Sequence, residues 1–179
     1  DTTNELVFRL EPEATVNDHW KVKARLDSKI DLKTDAGNDG TVNLKRAWAE
    51  GKYGSTTIRL GKFPVFTEQG VLFDGEMSGA GLTLGADRTV SATLYAGRYN
   101  LEDSAWGDEI TEAKEAGSYK DGTTASMQGI TLNLDPSEKF HLGVDYLRLK
   151  NKALLTGMMK VKDPLHYYGV GMTYRPSQT

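Results

Sequence analysis

The sequence predicts an all-β fold, an antiparallel up-and-down transmembrane β-barrel in which this chain supplies about nine strands of a larger barrel of about 16. Three observations lead there. From Trp20 to Leu32 every second residue is apolar or small, while Lys21, Lys23, Arg25, Asp27, Lys29 and Asp31 between them all carry charge. Period two is the signature of a strand, and this one is longer than the 5 to 6 residues or so usual in soluble sheets and long enough for the roughly 9 to 11 that cross a bilayer. No run of about 18 apolar residues exists, so a membrane-crossing helix is excluded. The mean hydropathy of -0.50 does not exclude a barrel, since only alternate strand residues face lipid. Finally, the connections alternate between short and long, as they do between the two sides of an outer-membrane barrel.

The strands follow in order. Leu6, Phe8 and Leu10 alternate with Val7, Arg9 and Glu11, giving a first strand over residues 4–14 that Pro12 ends or confines to an edge. Val16, Asn17 and Asp18 turn into the Trp20 strand, and the polar segment 34–41 follows it. A third strand runs over 42–53, where Val42 and Leu44 share a face with Ala47, Ala49, Gly51 and Tyr53 only if the register slips near Lys45 and Arg46. A β-bulge supplies such a slip and sends Arg46, Trp48, Glu50 and Lys52 to the other face. Gly54 to Thr56 turn into a fourth strand, 57–63, with Arg59 on the charged face.

Residues 64–78, holding Glu68, Asp74 and Glu76, are expected as a long connection. A fifth strand spans 79–85 and a sixth 89–99, joined by a tight turn at 86–88. The longest connection, 101–125, carries a short helix near 108–116 ended by Gly117. Strands over 126–134, 139–149 and 165–174 complete the set, with a turn at Asp135 to Glu138 and a long loop over 151–164. Short connections at 15–18, 54–56, 86–88 and 135–138 thus alternate with long ones. Trp20, Tyr53, Phe140 and Tyr174 sit outward at the short-turn ends, and Tyr146 and Tyr168 outward nearer the long loops. Two interfacial girdles of aromatics have that form.

Other function classes find little support. Cysteine is absent, which removes disulfides and thiolate metal sites, and a net charge of -3 with dispersed bases points away from nucleic acid. Asp35 to Gly40 partly mimics a calcium loop, but Gly37 and Arg46 stand where ligands belong, so a polar turn is the better reading and no metal is expected. Gly79, Gly81 and Gly85 miss the dinucleotide spacing. His19, His141 and His166 have no nucleophile beside them in a recognisable motif, so neither an enzyme nor a cofactor is expected. Met158 and Met159 are read as loop packing.

RAWAEGKYGSTTIRLGKFPVF (Arg46 to Phe66) and FDGEMSGAGLTLG (Phe73 to Gly85) resemble outer-membrane porins, most narrowly the porins of diderm Firmicutes that carry an S-layer-homology domain ahead of the barrel. The resemblance implies a homotrimer in a bacterial outer membrane, surrounded by lipid and lipopolysaccharide, passing small polar solutes and ions by diffusion. Arg9, Lys21, Lys23, Arg25, Asp27, Lys29, Asp31, Arg46, Glu50, Lys52 and Arg59 would then line the pore. In general porins the third outer loop narrows the lumen, which nominates Glu68, Asp74 and Glu76 as constriction residues facing the inward bases. This sequence departs from the narrower group in lacking the wall-binding domain and in its odd strand count. The expectation is a single barrel domain over 1–179 that is a segment, lacking at least one strand before it and several after it. Two alternatives stay open: an outer-membrane protein that tethers the envelope through a domain not present here, and a soluble β-sheet module whose basic ladder binds an acidic ligand.

Overall fold

The computed structural model describes residues 5–31, 41–67, 74–104, 107–116, 123–151 and 162–176. They form ten antiparallel strands: β1 (Glu5–Leu10), β2 (Glu13–Thr15), β3 (Trp20–Asp31), β4 (Thr41–Tyr53), β5 (Thr56–Phe66), β6 (Asp74–Leu84), β7 (Val90–Asn100), β8 (Thr124–Ser137), β9 (Phe140–Lys150) and β10 (Leu165–Tyr174). All belong to one open up-and-down sheet, in which β3 to β10 pair in sequence order and both β1 and β2 pair with β3. A 3-10 turn, Leu101–Asp103, and the helix α1, Gly107–Glu115, lie between β7 and β8.

Several boundaries differ from the sequence expectation. The first strand is two pieces, because Pro12 lacks an N–H and the ladder breaks around it, leaving its carbonyl to accept from the Ala24 amide at 3.0 Å. The expected slip in β4 is present: Arg25 opposes Arg46 and Leu26 opposes Leu44, so Lys45 is the extra residue. The turn expected at 135–138 narrows, since β8 continues to Ser137 opposite Phe140 through a register shift after Leu134. Gly54, at φ +58, takes the first place of the two-residue turn between Tyr53 and Thr56, a conformation that costs glycine little.

The largest correction concerns residues 64–78. They are strand for most of their length, with Pro64 opposite Glu76 and Phe66 opposite Asp74, so Asp74 and Glu76 belong to β6 and not to a loop. Pro64 is tolerated because β4 has already parted from β5 at Ala47 and Lys62, leaving no ladder on that side to break. Glu68 lies outside the described residues, as do the calcium-like segment 35–40 and Met158 and Met159.

Register also fixes the slant of the strands. Following paired residues across the sheet from Trp20 through Gly51, Ile58, Leu82, Leu94, Ile130 and Tyr146 leads to Tyr168, whereas the short-turn end of β10 is Tyr174. A drift of six residues over seven strand steps corresponds to a tilt of about 30° at about 3.3 Å per residue and 4.8 Å per strand. Barrels need a tilt of this order to close.

The two faces of the sheet differ completely. One carries the charges of β1 to β5 other than Lys62 and, from β5 to β9, a buried cluster of Phe63, Met77, Tyr95, Tyr99, Met127 and Leu147 into which Ile110 of α1 inserts. We call it the covered face. The opposite, open face by register holds every exposed large apolar residue of the described strands except Val7, among them Leu6, Leu44, Leu60, Leu94, Leu132 and Val170.

Candidate functional site: the charged wall and its inward hairpin

Alternation places the named charges of β1 to β5 on the covered face, whereas Glu76, opposite Pro64, alternates with Ala80 on the other face of β6 and reaches the wall only through the lean of its hairpin. By register Arg9, Lys21, Lys23, Arg25, Asp27, Lys29, Arg46, Glu50, Lys52 and Arg59 all share the covered face, across β1, β3, β4 and β5, and Asp31 pairs with Glu5 at the end of β3. Most are tied to one another. Glu50, only 6% exposed, accepts from Lys23 Nζ at 2.9 Å and from Arg59 Nε at 3.0 Å. Lys21 Nζ reaches Glu13 at 2.5 Å, and Lys23 lies 3.4 Å from the other oxygen of that carboxylate. Arg25 grips Asp27 through Nε at 2.8 Å and Nη2 at 2.6 Å, while Arg9 approaches the same carboxylate at 3.4 Å. Bidentate geometry of that kind fixes a guanidinium plane rather than leaving it to sweep.

The opposed arginines at the β4 bulge are informative. Arg25 and Arg46 face each other in register, a repulsive pairing unless each has its own carboxylate. Arg25 has Asp27, and Arg46 takes Glu76 of β6 at 2.9 Å. Glu76 can reach it because the upper part of the β5–β6 hairpin leans over the covered face. Gly61, at φ +122, and Gly79 oppose each other at the base of this lean. Bare glycine is needed there: a Cβ on Gly61 would lie 2.6 Å from the Ala47 carbonyl oxygen, and one on Gly79 would collide with that of Ala96.

Beyond the two glycines the hairpin occupies space above the wall. The Phe63 ring lies 3.2 Å from where a Gly81 Cβ would stand. Val65 and Phe66 share a cavity of about 210 Å³ with Arg59, Thr93, Thr131 and Asn133, all covered-face residues of other parts of the sheet. In a flat sheet Phe66 and Asn133 would be far apart, so only a folded-over hairpin brings them to one cavity. Thr67, at its described end, is 2% exposed.

A second segment also enters. Ile110 of α1 is 1% exposed and Leu101 of the 3-10 turn fully buried, both against the covered-face cluster. Tyr99 holds the turn by donating its hydroxyl to the Asp103 carbonyl at 2.7 Å. Lys114 of α1 bonds Glu102 at 2.9 Å and holds that carboxyl below its ordinary range. Burial raises the neighbouring Asp103, and the Glu76 carboxylate adds to the effect.

Sequence reading missed the polar row below this core. Thr57, Thr83, Thr93, Thr131 and Asp145 are consecutive partners across β5 to β9 on the covered face. Thr83 and Thr93 hydroxyls lie 3.0 Å apart, and Thr131 donates to Asp145 at 2.5 Å. Asp145 is 1% exposed, and its place between outward Val144 and Tyr146 was the signal available.

The named aromatics occupy both ends of the open face. Trp20 lies over Gly51 and donates its indole N–H to the Tyr53 hydroxyl at 2.8 Å, and Phe140 opposes Tyr174. Toward the other end Tyr146 and Tyr168 have ring centroids 5.2 Å apart, and the Tyr146 hydroxyl lies 2.9 Å from His166 Nδ1. Among the described residues no group of three or more His, Asp or Glu could hold a metal ion. No protein-family model and no curated protein matches this sequence.

Proposed function

We infer that the chain forms part of an outer-membrane β-barrel porin, a wall around a water-filled passage through which small hydrophilic solutes and ions diffuse. The observation that carries this reading is the division between faces. Exposed Leu, Val, Phe, Met and Tyr cover one face of every long strand, while the ion pairs and the threonine row occupy the other. A water-facing sheet hides its aliphatic face against a second layer, and monomers rarely leave more than a few hundred Å² of apolar patch exposed. In a bilayer the same division is what stability demands, with lipid outside and water inside. The open sheet has two edges, β1 and β10, and lipid tolerates neither unpaired, so the reading requires further strands to close it.

The constriction in this reading is the inward β5–β6 hairpin. It brings Glu76 against Arg46 beside the bases of β3 and β4, and charge held at a narrowing of this kind tunes ion preference. Planar-bilayer recording of the detergent-extracted native protein tests it. Stepwise channels are expected, with a reversal potential that moves toward cations when Arg46 and Arg59 are changed to Gln. Absence of channels from a protein that stays monodisperse without detergent would refute the porin and favour a soluble binding module.

A further inference from the structure

The open face is not uniformly convex. A groove of about 730 Å³ crosses it, walled by Ile58, Ile130 and Tyr146 and floored where Ala80 and Ala96 oppose each other on β6 and β7. Two methyl groups in a row whose next neighbours are Leu82 and Leu94 leave a trough in an otherwise aliphatic surface. At its upper end stand Gln128 and Arg148, whose Nη1 donates to the Gln128 oxygen at 3.4 Å.

Above the groove the open face changes character. Arg148, Lys150 and His166 project there from β9 and β10, where the described residues on that face above Tyr146 include no acid, while Arg98 of β7 lines a neighbouring cavity with Glu76 and Asp103. The covered-face bases Lys23, Arg25, Arg46 and Arg59 are all engaged by carboxylates, whereas Arg98, Arg148 and Lys150 make no salt bridge among the described residues. Height matters too. Arg98 is eight residues above Val90, Arg148 eight above Phe140 and His166 eight above Tyr174. Eight residues at the tilt derived above rise about 23 Å, close to the roughly 25 Å of a barrel's apolar band.

We propose that this groove holds an acyl chain of an anionic, phosphate-bearing membrane lipid, with Arg148 as the principal contact of its phosphate. The inference rests on the barrel reading. Charge complementarity selects an anionic lipid, because its phosphate supplies the negative charge that the basic rim of β9 and β10 lacks on that face among the described residues. An acyl chain fits the dry aliphatic trough, and its phosphate meets bases at the height where headgroups begin.

Electron spin resonance of lipids labelled near the acyl terminus tests the site, using the native protein in phosphatidylcholine vesicles. Labelled phosphatidylglycerol should be motionally restricted about fivefold more than labelled phosphatidylcholine, the factor that about 1 kcal/mol per interfacial base gives. Arg148→Gln should bring the ratio close to one, and Ala96→Trp, which fills the trough, should lower it as well. Equal restriction of the two lipids by the wild type, or a ratio indifferent to Arg148→Gln, would overturn the site. If Ala96→Trp instead dissociates an oligomer and leaves the ratio alone, the groove is a subunit contact and the proposal fails. If neither lipid is restricted at all, the barrel reading itself fails, an outcome distinct from the others.

Discussion

If the β5–β6 hairpin narrows a lumen, loosening it should widen the channel, and the structure says by how much it is held. Phe63 is 2% exposed and Met77 fully buried, and both face the cluster that also takes Ile110. Removing a buried phenylalanine side chain costs about 3 to 5 kcal/mol. At about 1.4 kcal/mol per tenfold, Phe63→Ala should lower the ratio of docked to undocked hairpin by between about 100-fold and 4000-fold. Arg46→Gln loosens the same hairpin from the other side, removing a charge-assisted bond worth about 1.5 to 3 kcal/mol, so its effect should be smaller and in the same direction. Single-channel recording should show higher conductance and more open-state noise in both variants, Phe63→Ala exceeding Arg46→Gln. Unchanged conductance from a Phe63→Ala protein that still folds and inserts would show that the hairpin does not limit the passage.

Further expectations follow from other contacts. Gly129→Val should be severely destabilising in urea titrations in detergent, because even its Cβ would lie 2.5 Å from both Leu147 and the Tyr95 ring. Glu50→Ala should cost about 1 to 3 kcal/mol, since it leaves Arg59 without its carboxylate and Lys23 with Glu13 alone, while Glu50→Gln keeps an acceptor and should lose less by the same measurement. The two acids above the wall should respond to pH in opposite senses. Glu102 is held low by Lys114, so its contribution is complete above its ordinary pKa and is lost as pH falls through the lowered value. Asp103 is raised by burial, so its ionised form weighs against the fold at neutral pH and protonation removes that penalty. Asp103→Asn should therefore raise the urea midpoint at about pH 7, and Glu102→Gln should lower it there and by progressively less as the pH falls below the ordinary carboxylate range.

Strand existence and facing were legible in the sequence because alternation is a local signal. Trp20 to Leu32 needs only its own residues to announce two unlike faces, and the β4 slip announces itself because Val42 and Leu44 fall out of phase with Ala47 and Ala49. Strand ends were less legible. FDGEMS at 73–78 contains the residues of a turn, yet Glu76 is drawn into β6 by Arg46, a partner some 30 positions earlier, and Pro64 is tolerated by a ladder that has already ended. In both places the deciding interaction lies in a neighbouring strand, where no window along the chain can find it.

The inward lean of the hairpin was illegible for a different reason. Alternation assigns each side chain to a face, but it assumes that the sheet continues, and a fold-over reverses what a face looks out upon. Phe66 alternates with Leu60 on the open face by count, yet it borders a cavity with Thr131 and Asn133 of the covered one. What permits this is the absence of side chains at Gly61 and Gly79, opposed in register and pressed against the backbones of β4 and β7. A glycine pair in opposed strands is visible only once the pairing is known. The charged wall could be read from one strand at a time, while the hairpin that leans over it required two strands and their register.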